Sequence, residues 1–438
     1  MLETLARCLS PAAIEIALVS LPRDLNETYY RMLENIPSEY RRGAIRLLQF
    51  LVHTNRPLTL SEAIEVIATE INQEPRGFDI KRRLFQAADI LRYCPSLVII
   101  AEVTNNSETV DELHLAHFSV KEYLLEQAQF DLESASIILT RTCLTYLGDI
   151  KNNCSTIRSD FPMARYAAEY WTEYAASAET SEDIVRITVG FLRDETTFER
   201  WCRLYQADRP WKNEPGPPRA PRLYYACLAG LAGAARGLTT EGADANAQGG
   251  SDVNAQGGCY GNALQAASLP GNLEVVQRLL DEVADVNAQG GEYGNALQAA
   301  SLPGNPEVVQ LLLEKGADVN GQGGQYGNAL QAASLRGNLE VVQLLLDEGA
   351  DVNAQGGYHG NALYAASHRG NLEVVQLLLD EGADIKAQGG YYGNALQAAS
   401  HGGNPEIVQL LNLNCAKMMS RKRSCSTNLS QRIKLPRL

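Results

Sequence analysis

The sequence lacks long apolar runs, paired cysteines and an excess of basic residues, and each absence excludes a class of protein. No apolar stretch approaches the roughly 20 residues that a membrane-spanning helix needs, so we expect no membrane contact. The nine cysteines form no Cys-x-x-Cys pair, which argues against a disulfide framework or a zinc site and for a reducing, cytoplasmic environment. The net charge of −14 argues against bulk binding to the phosphates of nucleic acids.

The common motifs of catalysis are missing as well. The chain has no Gly-Lys dipeptide, and therefore no Gly-x-x-x-x-Gly-Lys-Ser/Thr loop that could hold nucleotide phosphates. Gly-x-Ser-x-Gly is also absent. His114 and His117 are three residues apart, a spacing that on a strand turns the two rings to opposite faces. We therefore expect no catalytic residues, no cofactor and no metal site.

What the sequence does contain is a 33-residue repeat in its second half. Tyr-Gly-Asn-Ala-Leu begins at Tyr260, Tyr293, Tyr326 and Tyr392, and His359 begins a variant copy. Most copies continue with Gln-Ala-Ala-Ser, a Gly-Asn turn, Glu-Val-Val-Gln-x-Leu-Leu and Gly-Ala-Asp-Val-Asn. A fixed period of this length is typical of a stacked solenoid, in which each unit buries its apolar stripe against its neighbours.

Capping residues predict two helices in each copy. Asn262 and Gln265 have the spacing of a capping box at the start of the first helix, and a glycine follows as its left-handed end. Asn272 is the predicted cap of the second helix, and Pro306 and Pro405 occupy its favoured first position in two copies. Each copy is therefore predicted to be a pair of short helices joined by a tight turn.

A sixth, degraded unit precedes the five regular copies. Leu223, Ala226 and Gly230 match its helix positions if an eight-residue insertion near 251–258 is allowed, because these residues nearly duplicate the eight before them. Val283 replaces the glycine that ends the second helix in other copies. Since a β-branched residue disfavours positive φ, we expect Val283→Gly to raise the melting temperature.

This pattern resembles the ankyrin repeat. Ankyrin units begin with Thr-Pro-Leu-His and end with Gly-Ala-Asp-Val-Asn; here Asn262-Ala263-Leu264-Gln265 takes the first place, and the second motif is nearly intact. The resemblance implies L-shaped units whose hairpin tips and first helices line a concave surface that binds proteins.

Helices followed by a hairpin predict a winged helix in the first half of the chain. Thr59 and Glu62 have the spacing of a capping box for a helix over 60–69, and a second, amphipathic helix is expected over 79–94. The β-rich runs at 96–103 and 110–116 predict the strands of the hairpin, the wing of the fold.

Three motifs in this half resemble the winged-helix region of fungal NACHT–ankyrin proteins, which is similar to that of GPI inositol-deacylase. They are Leu21-Pro22 with Thr28-Tyr29, Arg56-Pro57-Leu58-Thr59, and the more specific run Leu115-Ala116-His117-Phe118-Ser119-Val120-Lys121-Glu122-Tyr123-Leu124. The family comprises signalling ATPases of the NOD-like receptor type that act in self/non-self recognition. The resemblance implies that His117 could contact the diphosphate of ADP only if a NACHT domain were present; without the phosphate-binding loop we expect a structural histidine.

The resulting fold class is mainly α, with a winged-helix domain and a helical connector followed by an ankyrin solenoid. The connector is expected to be built on Tyr166, Tyr170, Trp171 and Trp201 as core aromatics. The predicted segments are a helical remnant of an upstream domain at 1–20, the winged helix at 21–130, the connector at 131–208, a Pro-rich linker at 209–221, about six ankyrin units at 222–413, and a basic, disordered tail at 414–438.

We interpret the chain as a non-catalytic protein–protein interaction scaffold, a truncated relative of fungal NACHT–ankyrin receptors. One alternative is the C-terminal portion of a nucleotide-regulated signalling ATPase whose NACHT domain is missing. Another is a winged-helix DNA binder that uses Lys81, Arg82 and Arg83, although residues 21–130 hold more acids than bases. The basic tail leaves a nuclear location as an alternative to the cytoplasm. The partner and the oligomeric state are unknown.

Residues that vary within a nearly perfect repeat are the candidates for partner binding. They lie at the hairpin tips and in the fourth regular copy, where Tyr364 replaces the glutamine of the capping box. Since tyrosine is a frequent anchor of interfaces, the fourth and fifth copies are the predicted hot spot. The candidates are Cys259, Glu292, Gln325, Tyr358, His359, Tyr364, His368 and Tyr391.

Overall fold

A computed structural model describes residues 24–72, 76–105, 108–150, 154–213, 215–240, 258–282 and 284–417. The fold is mainly helical, as predicted, and the chain divides into two units, Met1–Tyr205 and Gln206–Leu438. The expected helix at 1–20, residues 251–257 of the expected insertion, Val283 and residues 418–438 lie outside the described ranges. In the part of the chain that the structure describes, no helix is long and apolar enough to cross a membrane.

The first unit opens with helices that surround a small sheet. Glu62 and Thr59 form the predicted capping box, because the Glu62 amide donates to Thr59 Oγ1 over 3.2 Å and the Thr59 amide donates to Glu62 Oε2 over 2.8 Å. Arg56 adds a second donor to the same carboxylate over 2.8 Å, which explains the Arg-Pro-Leu-Thr motif. These helices are α1 Leu25–Glu34, α2 Ser38–His53, α3 Leu60–Ala68 and α4 Phe118–Leu125.

The sheet contains the predicted hairpin. Its strands are antiparallel in the order β1-β5-β4, with Leu58 opposite Leu113 and Val98 opposite Leu115. Leu58, Leu113 and Val98 are buried, so this face of the wing packs on the helices. A separate two-stranded ladder joins β2 to β3. The strands are β1 Leu58–Thr59, β2 Thr69–Glu70, β3 Gly77–Phe78, β4 Val98–Asn105 and β5 Glu108–Leu115.

The prediction of an amphipathic helix over 79–94 is wrong. Two short 3₁₀ turns, Ile80–Arg82 and Ala87–Arg92, occupy this segment. Between them Arg83 has extended backbone, and its Nε lies 2.6 Å from the buried carboxylate of Glu65. Burial raises the pKa of Glu65, and Arg83 opposes that shift. A buried carboxylate needs a partner, so this ion pair outweighs the local helical pattern.

The second half of this unit is a bundle of helices with an aromatic core. Trp171 and Trp201 meet edge to face at 5.1 Å, and the indole of Trp201 donates to the carbonyl of Ala168 over 2.8 Å. These two residues and Tyr166 are buried as expected, whereas Tyr170 is partly exposed, so its core position was predicted wrongly. The helices are α5 Leu132–Asp149, α6 Cys154–Asp160, α7 Met163–Ser177, α8 Glu182–Arg193 and α9 Glu195–Leu204.

The second unit is an array of helix pairs that follow the sequence repeat. The prolines stand where the repeat predicts, since Pro306 begins α15 and residue 405 begins the last helix, which continues beyond 413 to 417. The first helices are α10 Arg222–Leu228, α12 Ala263–Ser268, α14 Ala296–Ser301, α16 Ala329–Arg336, α18 Ala362–Arg369 and α20 Ala395–His401. The second helices are α11 Ala232–Thr239, α13 Leu273–Asp281, α15 Pro306–Glu314, α17 Leu339–Asp347, α19 Leu372–Asp380 and α21 at 405–417.

The core of the array repeats with the sequence. In the third regular copy, Ala332 and Ala333 of α16 and Val342 and Leu345 of α17 are all fully buried. The alanines let neighbouring first helices approach closely, and the valine and leucine fill the space behind them. Burying one such leucine contributes about 2 kcal/mol, so the stability of the array is distributed along its length.

Candidate protein-interaction surface

The capping boxes of the first helices also join neighbouring units. The Asn328 amide donates to Gln331 Oε1 over 3.0 Å, and the Gln331 amide donates to Asn328 Oδ1 over 2.8 Å, as predicted. The same glutamine then donates through Nε2 to the carbonyl of Gly360 in the next unit over 3.0 Å. Since Gln331 is buried, these bonds are shielded from water and fix the position of the following hairpin.

The asparagine of the Gly-Asn turn does not cap the second helix, so that prediction was wrong. No side-chain bond from Asn272 caps α13; its Nδ2 donates to the carbonyl of Cys227 in the preceding unit over 3.1 Å. Asn338 donates in the same way to the carbonyls of Ser301 and Leu302, over 3.1 and 2.9 Å. These carbonyls lie at the end of a helix, where they have no intrahelical partner. The residue therefore links units rather than capping its own helix.

A further asparagine, the last residue of Gly-Ala-Asp-Val-Asn, bonds to the same motif in the next copy. Asn320 Nδ2 donates to the carbonyl of Gly349 over 3.2 Å, and its Oδ1 accepts from the Asp351 amide over 2.8 Å. The same pair of bonds recurs at Asn353 with Gly382 and Asp384. Three polar side chains per unit thus hold successive hairpins in a fixed register.

The first four predicted hairpin-tip residues, from Cys259 to Tyr358, lie in one row that is joined by backbone hydrogen bonds. The Glu292 amide donates to the carbonyl of Cys259 over 2.8 Å, the Gln325 amide to Glu292 over 2.9 Å, and the Tyr358 amide to Gln325 over 2.8 Å. Only backbone atoms are used, so the side chains at these positions can differ without disturbing the ladder. The ladder therefore presents variable side chains from a rigid support.

A glycine beside the ladder is required by the close approach of the hairpins. Gly324 has φ +58°, and a Cβ built there would lie 2.3 Å from the carbonyl carbon of Tyr293 in the preceding hairpin. No side chain fits at that distance. The Gly-Gly pair before each tip is thus a packing requirement between units as well as a turn signal.

In the first three regular copies the tyrosines of Tyr-Gly-Asn-Ala-Leu stack on each other. The rings of Tyr260 and Tyr293 are 5.4 Å apart, and those of Tyr293 and Tyr326 are 5.6 Å apart and nearly parallel. Tyr293 and Tyr326 also pack against a buried cluster that includes Leu302 and Leu335. These tyrosines serve the structure of the array.

The stack changes in the fourth and fifth copies. His359 replaces the tyrosine, and His368 and His401 stand where earlier copies have leucine. The ring of Tyr392 stacks between two of these histidines, 5.5 Å from His368 and 3.8 Å from His401. We name the whole group the tyrosine–histidine cluster; its members are Tyr358, His359, Tyr364, His368, Tyr391, Tyr392 and His401.

Two histidines of the tyrosine–histidine cluster are kept neutral by their surroundings. Burial lowers the pKa of His359, with smaller contributions from the neighbouring His368 and Arg369. Burial likewise lowers the pKa of His368, assisted by Arg369 and His401. The His368 Nδ1 atom is buried and has no hydrogen-bond partner among the described residues. Both rings therefore act as uncharged aromatic surfaces at neutral pH.

The structure separates the predicted partner-binding residues into exposed and buried ones. Tyr358 and Tyr391 are 67% and 77% exposed, whereas Tyr364 is only 2% exposed. The hydroxyl of Tyr364 accepts from the Tyr392 amide over 3.0 Å, so this residue replaces the link that glutamine makes in other copies. Gln325 is exposed, and the remaining candidates are partly exposed: Cys259, Glu292, His359 and His368.

In the degraded first repeat, Tyr224 makes the same kind of bond to the next hairpin as Tyr364 does. The hydroxyl of Tyr224 accepts from the Tyr260 amide over 3.3 Å and donates to Asp208 Oδ2 over 3.2 Å. Asp208 is fully buried and also accepts from the Cys259 amide over 2.9 Å. Nothing in the sequence marked Asp208, because its partners lie 16 and 51 residues away.

In the N-terminal unit of the chain, Met1–Tyr205, His117 takes part in local hydrogen bonds. It is the N-cap residue of α4, where its Nδ1 accepts from the Ser119 amide over 3.2 Å. The Ser119 hydroxyl lies 2.7 Å from both His117 Nδ1 and the hydroxyl of Tyr29. A pocket of about 330 Å³ beside it is lined by the cationic residues Arg56 and Lys121. Across the described ranges, no three His, Cys, Asp or Glu side chains cluster as a metal site would require.

Comparison with known proteins agrees with this geometry. The model of ankyrin repeats in three copies matches residues 223–323, 263–356 and 329–422, and the model of the GPI inositol-deacylase winged-helix domain matches residues 13–138. The chain therefore contains a winged-helix domain followed by ankyrin repeats. It is 36% identical over 300 residues to "Azaphilone pigments biosynthesis cluster protein L" of Monascus ruber. The alignment covers 62% of each chain, so the match spans less than two thirds of that relative.

Proposed function

We propose that this winged-helix ankyrin-repeat protein is a non-catalytic scaffold that binds a protein partner through the concave side of its ankyrin array. The observation that carries the proposal is the exposure of two neighbouring tip tyrosines, Tyr358, which the backbone ladder holds, and Tyr391, which packs on Tyr392. Tyrosine side chains held in place lose little conformational entropy on binding, which makes them effective interface anchors. The resemblance to fungal NACHT–ankyrin receptors favours a partner in a self/non-self recognition pathway.

The tyrosine–histidine cluster supports the fourth and fifth copies as the binding hot spot. Tyr358 packs edge to face on His359, at 5.2 Å, and Tyr391 packs in the same way on Tyr392, at 5.0 Å. Each exposed ring therefore packs against a second ring that is partly buried. A partner that covers Tyr358 and Tyr391 would meet a continuous aromatic surface.

The test compares interaction partners of the full chain and of the double variant Tyr358→Ala, Tyr391→Ala in quantitative affinity purification. Partners that bind the proposed surface should be depleted at least tenfold, because loss of two anchors of this kind costs about 2 kcal/mol or more. The matched control is Glu292→Ala with Gln325→Ala, which changes the same repeat position in the second and third copies. Tyr364 is left intact because its loss would disturb the fold.

Equal depletion by the control pair would contradict the hot spot in the fourth and fifth copies. Retention of every partner by the tyrosine variant would contradict binding through this face. Circular dichroism of each variant shows whether the array is still folded.

A second candidate is the C-terminal portion of a nucleotide-regulated signalling ATPase. The pocket beside His117 supports it, since Lys121 lines the pocket and would attract a diphosphate, whereas Arg56 is already paired with Glu62. Isothermal titration of the full chain with ADP and ATP tests this candidate. Micromolar affinity would favour it over the scaffold, and loss of that affinity in Lys121→Ala would place the nucleotide in this pocket.

A further inference from the structure

An apolar groove runs across the outer face of the array, formed by the second helices of the last three copies. It encloses about 960 Å³ and is lined by side chains of α17, α19 and α21. Its apolar part consists of five leucines, of which Leu339 and Leu372 are more than a third exposed and Leu413 is half exposed. The other two leucines are Leu377 and Leu410. Contiguous exposed apolar surface of this kind marks an interaction site.

The groove is confined to these copies because the earlier ones interrupt it. Arg278 of the first copy stands at the repeat position that Leu377 and Leu410 occupy later. In the second copy Lys315 extends to Asp281 of the first copy over 3.0 Å. Pro306 takes the place of the exposed leucine there, as Pro405 does in the last copy, but only the last copy adds an exposed leucine, Leu413, to the groove. The apolar row is therefore continuous only beyond α15.

The rim of the groove is acidic. Glu340, Glu373, Asp380 and Glu406 line it, and none of the described lining residues is a lysine or an arginine. An occupant must therefore combine aliphatic side chains, for the leucines, with positive charges, for the rim.

The segment that follows α21 in the sequence has this chemistry. Residues 418–438 contain six lysines and arginines, no acid, and the aliphatic residues Leu429, Ile433, Leu435 and Leu438. The segment is attached at Lys417, one turn beyond the groove residue Leu413. We infer that residues 418–438 bind in this groove of the same chain, with their basic side chains against its acidic rim.

The attachment makes the interaction feasible in distance and in concentration. Packed helices are about 10 Å apart, so the groove from α21 to α17 extends about 20 Å. Twenty-one residues can reach up to about 70 Å when extended, which is more than sufficient. A tether of this length gives an effective concentration of about a millimolar, so even weak contacts would keep the groove occupied.

The experiment is zero-length carbodiimide cross-linking of the full chain, which joins lysine amines to carboxylates in contact, followed by mass spectrometry. We expect Lys422 or Lys434 to be joined to the rim carboxylates, Glu373 or Glu406 above all. Glu274 and Glu307 are the internal controls, since they are exposed glutamates at the same repeat position outside the groove. Mixing ¹⁵N-labelled and unlabelled chains distinguishes a link within one chain from a link between two.

A matched pair of variants tests the apolar contribution. Leu339→Ser with Leu372→Ser should lower the yield of rim cross-links at least threefold, whereas Leu273→Ser, at the same repeat position in the first copy, should leave it unchanged. These leucines are exposed enough that the fold should tolerate serine. Cross-links shared equally with Glu274 and Glu307, an equal effect of Leu273→Ser, or links found only between labelled and unlabelled chains would each overturn the inference.

Discussion

At the scale of single residues, Tyr364 shows how one substitution changes the hydrogen bonds of a repeat position without changing the fold. Glutamine at this position makes the reciprocal capping bond and reaches the next hairpin through its amide. Tyr364 cannot return a bond to the backbone amide of Asn361, but its longer side chain still reaches the next hairpin through its hydroxyl. The residue is therefore a structural link whose ring also belongs to the tyrosine–histidine cluster.

We predict that Tyr364→Phe lowers the free energy of unfolding by about 1 kcal/mol, the usual net value of one buried hydrogen bond. The lost bond is that from the Tyr392 amide to the hydroxyl. Urea unfolding followed by circular dichroism measures the change. Tyr358→Phe is the control, since the hydroxyl of that exposed ring should contribute nothing measurable.

Because burial lowers the pKa of His359 and His368, we expect the stability of the array to depend on pH. The folded pKa of His368 lies below its ordinary value of 6.5, so the unfolded chain binds more protons as the pH falls. The stability contributed by the neutral ring is fully present above pH 6.5 and is lost as the pH falls below that value through the folded pKa. The charged or titratable groups around the ring are Arg369, His359, His401, Tyr364 and Tyr392, and tyrosine side chains do not ordinarily titrate between pH 5 and pH 7.

We therefore predict that His368→Leu weakens the loss of melting temperature between pH 7 and pH 5. Leucine is the residue that the third copy has at this position, as Leu335, so the packing should tolerate it. Scanning calorimetry at several pH values measures the effect. The control variant is His114→Gln in the N-terminal unit, which should lose as much melting temperature between pH 7 and pH 5 as the unchanged protein. If both variants reduced this loss equally, the assignment to His368 would be contradicted.

At the scale of one hairpin, the close approach of neighbouring units should dominate over backbone strain. Gly324 and Gly349 both have positive φ, but a Cβ at Gly324 would meet the backbone of Tyr293, whereas one at Gly349 would meet nothing within 4 Å. We predict that Gly349→Ala costs about 1 kcal/mol, from left-handed strain alone. Gly324→Ala should cost at least about 3 kcal/mol, because the two hairpins must also separate. Denaturant unfolding of both variants checks this order.

The same scale shows what could be predicted from the sequence. Capping boxes such as Thr59 with Glu62 depend on residues three apart, so their spacing alone specified them. Asn272 was mistaken for a cap because its true acceptor, the carbonyl of Cys227, lies 45 residues away. The repeat itself suggested stacking but did not say which polar side chains join the units.

In the winged-helix unit, a clear local pattern led to a wrong prediction because a distant contact overrides it. The pattern over 79–94 is amphipathic, yet Phe85 is fully exposed and Arg83 turns inward to Glu65. Local periodicity favours a helix there, and one buried ion pair with a residue 18 positions earlier overrides it. Sequence variation alone predicted the tip positions, and their role in binding stays a prediction. The burial of Tyr364 could not be foreseen without the next hairpin.

At the scale of the whole molecule, the array should behave as a chain of nearest neighbours. The first three regular copies donate side-chain bonds to the unit before them through asparagine and to the unit after them through glutamine, and in the fourth copy Tyr364 accepts a bond from the next unit instead. A unit in the middle therefore has two interfaces to lose, whereas a terminal unit has one. In such a solenoid the ends can unfold locally while the centre cannot, so identical substitutions should have unequal effects.

Leu345 and Leu411 allow a matched test of this argument. They occupy the same repeat position in the third and fifth copies, and both are essentially fully buried, at 0% and 1% exposure. We predict that Leu345→Ala lowers the free energy of unfolding by about 3 kcal/mol, the value typical of a leucine removed from a core. Leu411→Ala should cost less than half as much in global unfolding, because the last unit can detach without breaking the rest. Hydrogen exchange should show this directly, with faster exchange confined to residues 395–417 in Leu411→Ala and spread to both neighbouring units in Leu345→Ala. If both variants lowered the free energy of unfolding equally and showed the same exchange pattern, the array would unfold as one body, and its last copy would be no less stable than the centre.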